Sequence, residues 1–328
     1  MGVTRFIRSG AGAVLLWVVS AMVLAAVLAP WIYQGGKAFA EYAAARRMAG
    51  VGGLFGEACQ RAEFGRFYNR SLLLAVLLLL PLLLRRLRHL RRTGGALLAS
   101  GPPLAWQTGV FQGVVGWLVA SAVVCGLGMA VAWLGVFTTQ PVMPALSVML
   151  TQALIPAVGV SVLEEGVFRG VLLGLWLRVA RPWAACIGSS LVFAFLHFLE
   201  PPLAAGMVDA SSAAAGFQLL GWILWQFTEP MFFVADFLTF FTLGLILAAT
   251  RMRTGHLWLA IGLHCGWVNA FKAYHLTHVK AVNGPLNGWW IGDSLRSGML
   301  PLAALVISAW ICHWILKMSG SLAKDKPL

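Results

Sequence analysis

Glu164-Glu165-Gly166-Val167-Phe168-Arg169 places two acids and an arginine inside a long apolar run. No charged residue occurs between Arg92 and Glu164. A charge at bilayer depth costs about 2.5–3.5 kcal/mol on insertion scales, so these side chains need partners or a task. Composition says the surroundings are a bilayer. Of the 328 residues, 60% are hydrophobic and 11% are charged, against about 25% charged in a soluble domain. The expected fold is all-α, a polytopic transmembrane helical bundle of about eight spans, with roughly seven to nine allowed.

Working outward, a spanning helix needs about 20 apolar residues. The run that holds the acids extends over 146–180, with Pro156 expected to kink it and Arg178 and Arg181 closing it. Spans are expected on its N-terminal side at 11–33, 71–84 and 111–135. The second of these is short, and Phe64, Phe67 and Tyr68 would lengthen it. The segment 37–70 is basic, with alanines and aromatics, and suits a helix lying on the membrane surface. On the C-terminal side, spans are expected at 183–199, 256–271 and 299–316. The stretch from Phe217 to Thr250, broken by Glu229-Pro230 and Asp236, reads as a half-helix followed by a full span. The N-terminal run from Ser9 to Gly36 is too long for the core of a cleaved signal peptide and reads as a retained first span.

The formal net charge is +13. Basic residues cluster at the ends of apolar runs, as the positive-inside rule expects, so the charge argues for a membrane and not for nucleic acid. With both termini cytoplasmic, Arg5/Arg8, Arg85 to Arg92, Arg178/Arg181, Arg251/Arg253 and the lysine tail all fall inside. The basic 37–70 segment alone dissents. The expected partners are the lipid bilayer and a protein or peptide at its surface, and the expected location is a bacterial inner (plasma) membrane. Five scattered cysteines with no CxxC pair argue against a disulfide framework or a cysteine metal site. Three regions are expected: 1–144, N-terminal spans with the basic segment; 145–271, a catalytic core; and 272–328, a polar loop, last span and basic tail.

Adjacent helix positions point about 100° apart, so Glu164 and Glu165 cannot both face one point squarely. Glu165 and Arg169 are four apart and share a face. Arg169 is therefore expected to neutralise Glu165 and leave Glu164 facing a site. His197, near the end of the next span, lies nearly as far in sequence from Arg181 as Glu164 does, about 25 Å along a helix. Two antiparallel neighbours would bring them level. His264 sits in Gly262-Leu263-His264-Cys265-Gly266-Trp267-Val268-Asn269, where the glycines allow close helix approach. Asn269 is about 140° around that helix from His264. An acid that can hold a proton, two histidines and an amide suit water activation and oxyanion stabilisation, the chemistry of peptide or ester hydrolysis. Glu164, His197 and His264 would also supply three ligands to zinc. HExxH, a GxSG serine and the GxGD signature are all absent.

The order Glu164-Glu165-x-x-x-Arg169, Phe193-x-x-x-His197 and Thr254-Gly255-His256-Leu257-Trp258 leading to His264 resembles the CAAX-processing and bacteriocin-processing intramembrane proteases, also called type II CAAX prenyl endopeptidases. The resemblance covers about 145–271. It implies a helical fold with an intramembrane cavity, Glu164 activating water, His197 assisting, and His264 with a downstream asparagine stabilising the oxyanion. The family has been described both as metalloproteases and as metal-independent glutamic proteases. Where the family places its asparagine, four after the histidine, this chain has Val268, and Asn269 comes one later. The interval from His197 to His264 is also long, with the excess in 203–232. The function expected is hydrolysis of a peptide bond in a membrane-associated or lipidated protein. The alternatives are a zinc enzyme on the same residues, a non-catalytic membrane resistance or partner protein, and a transporter using Glu164, Glu229 and Asp236 as proton sites.

Overall fold

The structure, a computed structural model, describes residues 9–94, 104–178, 180–199, 208–281, 285–286, 288–292 and 294–319. Arg5, Arg8, the 95–103 part of the linker, Pro201-Pro202, Lys324 and Lys326 lie outside the described residues. The helices are α1 (Gly10–Ala45), α2 (Gly50–Arg61), α3 (Phe64–Gly94), α4 (Trp106–Trp133), α5 (Leu146–Trp176), α6 (Pro182–His197), α7 (Ala215–Trp225), α8 (Phe232–Thr254), α9 (Trp258–Thr277) and α10 (Met299–Met318). Among the described residues, six are long and apolar enough to cross a membrane: α1, α3 over Phe64–Leu87, α4, α5, α8 and α10. α6 is apolar but shorter. α9 has the length, yet carries His264, Asn269, Lys272 and His275. The chain is an integral membrane protein of helical type. Its sole departure from all-α among the described residues is a short antiparallel ribbon that pairs β1 (Phe137–Thr139) with β2 (His278–Lys280).

The chain forms two compact units: Met1–Gly95 with Phe198–Glu229, and Ala96–His197 with Pro230–Leu328. In the first, the basic 37–70 segment is not one surface helix. α1 runs on to Ala45, α2 is a separate 12-residue helix, and α3 begins at Phe64. The reason is a set of contacts between these helices. Lys37 Nζ donates to the carbonyls of Gln60 (2.7 Å) and Ala62 (3.1 Å), which satisfies the end of α2. The Tyr33 ring meets Phe64 and Phe67 edge-on at 5.5 and 5.2 Å. Phe64, Phe67 and Tyr68 thus extend the second span, and all three are buried. The extra sequence between His197 and His264 also has a place. Its half-helix α7 packs on α1, and a methyl group added at Gly216 would run into the backbone of Ala26.

The second unit is built around α9, which lies along α4. The approach is close because glycines face each other. A side chain at Gly262 would strike the Gly113 carbonyl, and one at Gly266 would meet the Trp117 carbonyl. Tyr274 Oη donates to Gly128 O (2.9 Å), and Trp267 Nε1 donates to Ser308 Oγ of α10 (2.9 Å). α5 is not a uniform α-helix. Ile155 N–H reaches back five residues to Leu150 O just before Pro156, and Leu173 N–H reaches Phe168 O. Such π-type turns let a helix absorb a proline or re-aim a side chain. α8 ends on Gly255, whose left-handed φ of 75° few other residues adopt. Thr254 Oγ1 donates to Thr250 O or His256 O, 2.9 Å from each, and the chain turns at once into α9.

Gly262→Val should separate α4 from α9 and cost about 1–3 kcal/mol, the usual penalty of overpacking. Thermal unfolding in detergent measures this. Gly126→Ala, on a part of α4 with open space around it, should leave the midpoint unchanged.

Candidate active site

The acids of α5 diverge, and His264 of α9 lies between them. Glu165 is fully buried. Its Oε1 accepts from Arg169 Nη1 at 2.9 Å and from His264 Nδ1 at 2.8 Å. Arg169 Nη2 also donates to Gly244 O of α8 (3.1 Å), and its guanidinium lies 4.3 Å from the centre of the Phe193 ring. One buried carboxylate and one guanidinium thus tie α5, α6, α8 and α9 together. Glu164 Oε2 stands 3.8 Å from His264 Nε2 and 3.4 Å from His197 Nε2. About a fifth of the Glu164 and His197 side chains is exposed, whereas His264 is buried.

Hydrogen bonding determines which ring nitrogens carry protons. A carbonyl oxygen can only accept, so His197 Nδ1, 2.8 Å from Phe193 O, is the protonated one. His264 Nδ1 donates in the same way to Glu165. Both histidines therefore turn Nε2 toward Glu164. The Phe193 ring sits behind them, 4.3 Å from the His197 ring and 6.2 Å from that of His264, and is itself fully buried.

Glu164, His197 and His264 share a cavity of about 210 Å³, walled by Val160, Phe240, Leu243 and Trp267 among others. Two further residues on its wall, Lys272 and Arg296, are expected from the sequence in a polar loop and not as site residues. Lys272 is about two turns beyond His264, a spacing visible in the sequence. Arg296 comes from the loop before α10 and leaves no local signal; its guanidinium lies 4.8 Å from the Phe240 ring, which packs at 4.9 Å on His197. Asn269 does not line the cavity, whereas Val268 does. The helical turn carries Asn269 to a different face from His264. Of the three acids expected of a transporter, Glu164 alone is on the cavity wall.

The types of donor suit zinc, since two Nε2 atoms and a carboxylate converge. Their spacing does not: among the described residues, no group of three His, Cys, Asp or Glu side chains is placed to hold a metal ion.

A helical membrane protein with a carboxylate and two histidines on the wall of a cavity between its helices is the class these observations define. Residues 144–271 match the family model for type II CAAX prenyl endopeptidases, Rce1-like. Over this segment, which is less than half of the chain, the sequence is similar to that family, in agreement with its motifs. No significant match to a curated protein or to a solved structure was found.

Arg169→Ala should destabilise the protein by about 3–5 kcal/mol, because it strands a buried carboxylate. The neutral pair Glu165→Gln with Arg169→Met should recover most of that loss. Thermal unfolding of the three proteins decides, and an Arg169→Ala variant as stable as the parent would refute the pairing.

Proposed function

We propose that this protein is an intramembrane endopeptidase that hydrolyses a peptide bond in a membrane-associated or lipidated protein, with Glu164 as general base. The observation that carries the reading is the convergence of His197 Nε2 and His264 Nε2 on the Glu164 carboxylate at the cavity wall, 3.4 and 3.8 Å away. The family match supports an endopeptidase of the CAAX type in general; the roles of individual residues are argued from chemistry.

Charge balance comes first. Glu164 and Glu165 carry two negative charges, and Arg169 supplies one positive. A buried cluster favours neutrality, and a proton on His264 provides it. Glu165 holds that imidazolium through Nδ1, leaving Nε2–H to donate to an oxygen in the cavity. The carboxylate of Glu164 and the lone pair of His197 Nε2 are both acceptors. They suit a water molecule that gives each a hydrogen bond.

The step follows. Glu164 takes a proton from the water as its oxygen bonds to the carbonyl carbon. The carbonyl oxygen becomes an oxyanion and accepts from His264 Nε2–H. When the tetrahedral intermediate collapses, the C–N bond breaks, and the nitrogen leaves with the proton passed back from Glu164 by way of His197. A carboxylic acid and an amine result. Asn269 has no part in this scheme. Lys272 and Arg296 offer positive charge to an anionic group of the bound peptide.

Glu164→Gln should lower cleavage by about 10²–10⁴-fold, the usual contribution of a positioned base, with folding intact. Comparative proteomics of parent and variant cells, reading new protein termini, identifies the substrate as well. An unchanged set of termini would sink the reading, and a cellular phenotype that survives loss of both Glu164 and His197 would point to a non-catalytic partner. Asn269→Ala should cleave at close to the parent rate. Activity lost with chelator, together with a stoichiometric metal in the purified protein, would overturn the metal-free step.

A further inference from the structure

A second groove, with none of its lining residues in common with the catalytic cavity, lies along α9. It has a volume of about 280 Å³ and runs between α8, α9 and α10. Arg253, Thr254 and His313 line it together with the apolar Ile246, Leu263 and Trp310. α8 and α10 start together, since Gly298 N–H donates to Ala235 O (2.8 Å). They then run in parallel. Arg253 and His313 are thus each about 22–27 Å from that common start and sit near one level. Ile246 is about two turns, or about 10 Å, back toward the bilayer centre from Arg253. The groove is therefore polar at the membrane boundary and apolar below it. Trp310, 62% exposed, stands where indole side chains mark the interface.

The charge around the polar end is of one sign. Arg178, Arg181, Arg251, Arg253 and Lys317 belong to helix ends or turns on this side, and no Asp or Glu occurs in 170–186, 246–260 or 305–319. Packing puts these ends together: Leu173 of α5, Ala185 of α6 and Ala248 of α8 form one buried cluster, with Trp176 and Met252 against it. By the positive-inside rule this end is cytoplasmic, the leaflet in which anionic lipids attract basic residues.

We infer that the groove is a binding site for one anionic phospholipid, its phosphate held by Arg253 and His313 and an acyl chain laid along Ile246 and Leu263. Charge selects the headgroup, because an arginine fork and an imidazole both donate to phosphate oxygens. Depth selects a lipid over a free anion, because the apolar floor needs a hydrocarbon occupant. The inference is independent of the hydrolytic reading. Its structural link to that site is the peptide bond between Leu263 on the groove wall and His264 on the cavity wall.

The test uses the full-length protein in nanodiscs that contain phosphatidylglycerol and phosphatidylcholine in equal amounts, followed by native mass spectrometry. One phosphatidylglycerol should be retained per chain, in preference to phosphatidylcholine. The double variant Arg253→Ala with His313→Ala should lower that retention about tenfold, the equivalent of losing ~1.4 kcal/mol. Arg253→Lys should restore part of it, and Ala309→Leu, which narrows the groove, should lower retention while leaving the cations in place. Circular dichroism verifies that the variants fold. Equal retention of the two lipids, or retention untouched by the double variant, would overturn the proposal. So would displacement by millimolar inorganic phosphate, which would identify the ligand as a free anion.

Discussion

The Glu165 carboxylate is the constraint on which the second unit depends. It is fully buried, accepts from Arg169 and His264 through one oxygen, and so ties α5 to α9. Arg169 carries the connection to the Gly244 carbonyl on α8 and to the Phe193 face on α6. An ion pair in a low-dielectric interior returns little net stability after desolvation. What it supplies is position. Glu165 sets the orientation of the His264 ring, and with it the direction of Nε2.

The same constraint gives the two neighbouring acids different roles without any difference in residue type. Successive positions on a helix diverge by about 100°, so one carboxylate reaches Nδ1 of His264 and the other approaches Nε2. The histidine is held between them. A single glutamate at either position could not both orient that ring and face the cavity. The π-type turn that begins at Gly166 lies directly after this pair, where a helix under competing demands from three neighbours is expected to adjust.

The two halves of the second unit use polar groups differently. In the cavity, polar atoms are few, mutually engaged and walled by aromatics, which raises the strength of each interaction. At the opposite end, cations crowd the helix termini and leave acids out of the neighbouring segments. A bilayer accounts for both: its core penalises any unpaired charge, while charged groups are tolerated at its surface.

Much of this was legible in the chain itself. Apolar run length dictates helices in a bilayer, because backbone groups there have no water to bond. The four-residue spacing of Glu165 and Arg169 forces them onto one face, and the near-equal distances of Glu164 and His197 from Arg181 put them at one level. The glycines at 262 and 266 announced a close helix contact. Other features belong to the tertiary structure. The contact of Glu165 with His264 joins residues 99 positions apart, and no local pattern encodes it. Arg296 reaches the cavity from a loop. The basic 37–70 segment breaks into pieces because Lys37 and Tyr33 find partners that only folding brings near. Val268, in place of Asn269, meets the cavity because a rotation of one helical position decides which side chain faces inward. Sequence determined which groups must be buried and paired; tertiary structure decided with whom, since pairing depends on direction, and direction is a property of packed helices.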